Sequence, residues 1–124
     1  MMPIILIVDD SAFTLQYYAE LIQKIGFPVY TALGGEKALD AFEKFHPSLV
    51  LCDIMMPDIN GYELLEIFKE KESQIHFYFI SSEYNENILK KALSLGAKGL
   101  LEKPLTEEKL QNILSPLSER GKKN

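Results

Sequence analysis

Hydrophobic positions gather into five short runs, and after each run the chain turns polar and then takes up helical spacing. Ile4 to Val8 is continuous instead of alternating, the pattern of a parallel strand covered by helices on both faces. Leu15, Tyr18, Ala19 and Ile22 then recur at helical intervals over about Ala12 to Ile25, with Gln16 and Tyr17 outward and Gly26 as the stop. Pro28 to Ala32 is a second, weaker strand whose proline and polar flank suit a sheet edge. A helix opens at Gly34 and Gly35, turns Ala38, Leu39 and Phe42 inward and closes at His46 and Pro47, where His46 reads as a capping or surface group. Leu49 to Cys52 is a strand buried on both faces; Asp53 stands where it emerges, and Pro57 and Gly61 shape the following loop.

Tyr62, Leu65, Ile67 and Phe68 mark a third helix that dissolves in the charged segment 70–73. Ile75 to Ile80 is the fourth strand and ends in Ser81, Ser82 and Glu83. Ile88, Leu89, Ala92 and Leu93 place a helix between about Asn85 and Leu95, and Gly99 to Leu101 is a brief fifth strand closed by Glu102, Lys103 and Pro104. Thr106 caps a last helix with the stripe Leu110, Ile113, Leu114 and Leu117. Five strands alternating with five helices predict an α/β fold, a doubly wound five-stranded parallel sheet with helices on both faces. Residues 1–118 read as one domain, and 119–124 as a polar tail expected to fray.

Composition narrows the function. In 124 residues, 13 Lys and Arg stand against 18 Asp and Glu, a formal charge of -5 that opposes attraction to nucleic acid or anionic lipid. The single cysteine, Cys52, lies in an apolar strand and reads as a small core residue. The first run is too short for a membrane span and has no basic segment before it, so a cytoplasmic location is expected.

In a doubly wound sheet, sites gather at the carboxyl ends of the strands. That rule brings Asp9 and Asp10 after strand one, Asp53 after strand three, Ser81 after strand four and Lys103 after strand five to one rim. Three carboxylates at one place repel unless a cation compensates, and magnesium suits oxygen ligands. Asp10 and Asp53 are the expected direct ligands, with Asp9 direct or through water and the Met55 carbonyl as a further oxygen. Lys103 and the Ser81 hydroxyl suit phosphate oxygens, which leaves Asp53 equipped as a nucleophile toward phosphorus. The plainer alternatives are that Lys103 only pairs with the acids and that Ser81 caps the next helix.

This ordered set, Asp9-Asp10, Asp53 with Pro57 and Gly61, Ser81, and Lys103-Pro104, resembles the receiver domain of two-component response regulators, in particular the stand-alone CheY-like type. The likeness spans nearly the whole chain and is supported by Ala97 and Gly99. It implies a flavodoxin-like (βα)5 fold with strand order 2-1-3-4-5 and a cis Lys103-Pro104 bond. It also implies magnesium-dependent transfer of a phosphoryl group to Asp53, with manganese as a substitute, from the phosphohistidine of a sensor histidine kinase or histidine phosphotransfer protein. The acyl phosphate would then be hydrolysed, with Met55 and Glu83 bordering it and tuning its lifetime. The family reorients an aromatic side chain in strand five; here that position is Leu100, which has no phenol, so a switch centred on the Ser81 loop is expected. A downstream protein target follows from the same resemblance, and a homodimer is compatible with it.

Three other classes fit less well. An aspartate-nucleophile phosphatase acting on external substrates would carry a second acid and a substrate cap differently placed. A phosphorylation-independent interaction module would make the rim structural. A flavin carrier would need a hydroxyl and glycine-rich phosphate loop after strand one, where Asp9-Asp10-Ser11 stands.

Overall fold

The structure, a computed structural model, describes the backbone of residues 3–122 and the side chains of 3–117. In chain order it forms β1 (Ile5–Asp9), α1 (Ala12–Ile25), β2 (Val29–Leu33), α2 (Gly35–Phe45) and β3 (Leu49–Asp53). It continues through α3 (Gly61–Lys71), β4 (His76–Ser81), α4 (Glu86–Ser94), β5 (Gly99–Glu102) and α5 (Glu107–Lys122). All strand pairs are parallel, and their order is β2-β1-β3-β4-β5. The weak second strand is at an edge, as its proline and polar flank predict.

Continuous apolar runs are required because alternate residues of each strand feed two different cores. Leu6 and Val8 of β1, Val50 and Cys52 of β3, Phe77 and Phe79 of β4 and Leu100 of β5 face the layer of α2, α3 and α4. Ile5, Ile7, Leu49, Leu51 and Ile80 face α1 and α5, meeting Leu15, Tyr18, Ile22, Leu110 and Leu114. Aromatic packing closes the first layer: the Phe68 and Phe77 rings meet edge-on at 6.1 Å, and Phe77 and Phe79 at 5.1 Å.

The helix ends follow local chemistry. Ser11 accepts from Thr14 N, Asn85 from Ile88 N and Thr106 from Lys109 N, while Asn60 and Glu63 form a reciprocal capping box. Gly26 ends α1 in the left-handed region, and His46 caps α2 there as well, its backbone N–H donating to the Phe42 carbonyl. The residues that place α4 are unequally covered: Ala92 is fully buried, whereas Leu93 is exposed. Pro116 lies inside α5, which is helical as far as Lys122 and buries Leu110 and Leu114 in the turns before the proline. Residues 123–124 of the proposed tail lie outside the described residues.

Candidate functional site

The sheet register brings the functional side chains level. Strands β1 and β3 end in Asp9 and Asp53, β4 ends in Ser81, and Ser81 pairs with Glu102, the residue before Lys103. Because β1 and β3 are neighbours whose connections leave in opposite directions, Asp9 and Asp53 flank the crevice at the switch in strand order. The start of α3 approaches closely here. A Cβ on Gly61 would stand 2.6 Å from the Asp53 carbonyl oxygen and 3.0 Å from the Phe79 ring, so only glycine permits it.

Asp9 and Asp53 are buried, with 1% and 7% exposure, whereas Asp10 is open to solvent. One carboxylate oxygen from each of the three lies within 4.8 Å of the others. Lys103 Nζ reaches between them, 3.0 Å from Asp9 Oδ2 and 3.3 Å from Asp53 Oδ2. Its contact with Asp53 is a hydrogen bond. The contact with Asp9 is an ion pair without that alignment, which leaves Asp9 Oδ2 buried and accepting no hydrogen bond. Asp9 Oδ1 is used separately, accepting from Ser11 N at 3.0 Å.

Burial raises the proton affinity of Asp53; Lys103 opposes this and the neighbouring Asp9 and Asp10 add to it. Burial alone would weaken the Lys103 ammonium, but Asp9 and Asp53 outweigh that and hold its pKa above the ordinary lysine value. Cys52, beside Asp53, is driven well up by burial and then by the same carboxylates, so its thiol is inert packing.

The acidic cluster fits a hard divalent cation. Its donors are all carboxylate oxygens, the buried Asp9 Oδ2 has only its ion pair with Lys103, and the mutual repulsion of three acids around one lysine is what a cation would relieve. The Ser81 hydroxyl accepts from Glu83 N at 3.0 Å and keeps its own proton for an incoming acceptor. It does not cap α4; Asn85 does. The Lys103-Pro104 bond is cis.

Other expected residues lie farther from the carboxylates' own contacts. The Met55 side chain is 75% exposed, and Met56 beside it is core. Glu83 is at the surface, where Oε2 accepts from Asn85 Nδ2 at 3.4 Å. Leu100 is buried in the layer of α2, α3 and α4, where it serves packing. Two residues that the sequence did not single out help to hold the rim. Asp58 accepts from Gly35 N (3.1 Å), Glu36 N (3.0 Å) and Ile59 N (2.7 Å), tying the β3–α3 loop to the start of α2. The Tyr18 hydroxyl accepts from Leu105 N at 3.2 Å.

A buried aspartate at the switch point, flanked by acids and a lysine, makes this an Asp-centred phosphoacceptor site of the CheY-like kind, typical of phosphorelay signalling. The chain belongs to the response regulator receiver domain family, matched over residues 5–115. It is 35% identical over 117 residues to the chemotaxis protein CheY of Treponema pallidum, covering 91% of this chain and 81% of that protein. It is 34% identical over 120 residues to the probable transcriptional regulator ycf27 of Porphyra purpurea, covering 96% of this chain. The chain spans about half the length of the ycf27 proteins it matches, 49% in this case. Among solved structures, a CheX–CheY–BeF3–Mg2+ complex from Borrelia burgdorferi aligns with a TM-score of 0.84 and 32% identity, over 91% of this chain and 87% of that one. Among the described residues, no helix is long and apolar enough to cross a membrane.

Proposed function

We propose that Asp53 accepts a phosphoryl group from the phosphohistidine of a sensor histidine kinase or histidine phosphotransfer protein, and that the acyl phosphate changes a protein-binding face until water removes it. The observation that carries this reading is a buried Asp53 carboxylate held 3.3 Å from Lys103 among two further acids. An Asp53 oxygen attacks phosphorus as the P–N bond breaks, and the bonding pair returns to the imidazole nitrogen. Lys103 Nζ then exchanges a carboxylate partner for phosphoryl oxygens, on which the developing charge falls. Magnesium, or manganese in its place, held by Asp10, Asp53 and the Met55 carbonyl, with Asp9 direct or through water, would neutralise charge on the same oxygens. The Mg2+ named with the Borrelia CheY supports that choice of ion.

Phosphorylation adds negative charge and acceptor oxygens at the rim, toward which the Ser81 hydroxyl can turn and draw its loop. Met55 and Glu83, two positions beyond Asp53 and Ser81, border the path of water to the phosphoryl group and tune its lifetime. Leu100 contributes packing only, so the Ser81 loop and not a phenol carries the change to a downstream protein. The single buried thiol is in keeping with a cytoplasmic setting. Incubation with a small acyl phosphate and magnesium should add one phosphoryl group to the wild type and none to Asp53→Ala. Full labelling of that variant would refute the assignment.

A further inference from the structure

The turn that carries Lys103 receives little help from the sheet. β5 has four residues and pairs on one side only, with β4, so ladder bonds support the chain beyond Glu102 from one direction. The last of these supports is the bond from Lys103 N to the Ser81 carbonyl at 2.8 Å. Helices on either side of the turn supply the rest. Tyr18, buried in α1, accepts from Leu105 N at 3.2 Å. Lys109, in the first turns of α5, donates through Nζ to the carbonyls of Glu102 (2.9 Å) and Pro104 (3.2 Å). Backbone groups immediately before and after Lys103 are therefore pinned by two side chains that never touch Asp53.

The consequence is geometric. A lysine side chain is long and flexible, so where its Nζ dwells depends on how the backbone at its root is aimed. Leu105 is 1% exposed, which leaves its N–H no water to bond in place of the phenol. We propose that Tyr18 and Lys109 are positioning residues for phosphoryl transfer: they clamp the backbone flanking Lys103 and so hold its ammonium between Asp9 and Asp53. The proposal rests on Asp53 being the phosphoryl acceptor. Both residues act through Lys103, and their removal matters only while Lys103 is present.

That dependence supplies the test. Tyr18→Phe fills the same space without the acceptor, and Lys109→Met keeps the stem without the ammonium. Each is made in the full chain, alone and combined with Lys103→Ala, and the rate of labelling by a small acyl phosphate with magnesium is followed by intact mass. Each single variant should slow labelling by about tenfold, within the range that small misplacements of a reacting group produce. On Lys103→Ala the same changes should alter the residual rate by less than about twofold. Unchanged rates in the single variants, or equal slowing with and without Lys103, would overturn the clamp. A wild type that takes no label would instead refute the reading of Asp53. The clamp is then judged by nitrogen-15 NMR of the Lys103 ammonium: a signal present in the wild type and lost in both variants supports it, and one unchanged in the variants rejects it.

Discussion

Asp53 is a carboxylate kept where burial and like charge favour its neutral form. Its folded-state pKa is raised, so its contribution to stability is fully present below the unfolded value and is lost as pH rises through the folded one. Asp53→Asn should consequently stabilise the metal-free protein near neutral pH by about 1 kcal/mol, the usual scale when a functional charge is removed, with the gain fading in acid. Urea melts at the two pH values measure it; a loss of stability at neutral pH would count against a strained carboxylate. Lys103 makes the opposite trade, since its charge is satisfied by Asp9 and Asp53. Lys103→Ala should slow labelling about a hundredfold, as loss of one preorganised charge does, and stopped-time mass spectra would reveal it. These side chains were legible because each is a polar group directly after an apolar run. Tyr18 and Asp58 were not, because their backbone partners lie 87 and 23 positions away on other elements.

Among the elements, the β3–α3 loop depends on a residue outside the reacting set. Three backbone N–H groups hold the Asp58 carboxylate down to a pKa of about 2, the bonds to Glu36 and Gly35 ranking first. A lowered carboxylate contributes stability above its unfolded pKa and loses it as pH falls through the folded value, here from about 4 toward 2. Asp58→Ala should cost about 1 kcal/mol at neutral pH, the range for a lost helix cap, and should flatten the acid dependence in that window. Identical pH profiles for variant and wild type would argue that the latch is slack. Exposure makes the contribution smaller than a buried pair would give. Pro116 is the other element-scale test, because an interior proline removes a helical hydrogen bond and crowds the preceding turn. Pro116→Ala should raise the melting midpoint, by roughly 1 kcal/mol or more in stability. Strands and helices were readable from period and run length, but Leu93 was not, since a short helix on a sheet edge buries only a narrow stripe.

At the scale of the molecule, two hydrophobic layers fix five strands so that unlike loops share one rim. That arrangement was legible because continuous apolar strands alternating with helices admit few topologies, and the order 2-1-3-4-5 follows the resemblance carried by the rim residues. What the sequence left open was how the rim is braced, because long-range bonds such as Tyr18 to Leu105 leave no periodic trace. Folding and ion binding are linked here. If the acidic cluster holds magnesium, saturating ion should stabilise the wild type, by about 2.7 kcal/mol at a hundredfold excess over Kd, and should do so less for Asp10→Asn. The central claim is tested most directly by reducing the phosphorylated protein with borohydride, which converts an aspartyl phosphate to homoserine, and mapping the peptides. The modification should fall at position 53 within the segment from β3 to the start of α3. A phosphoryl group mapped to any other residue, with Asp53 unaltered, would contradict the account.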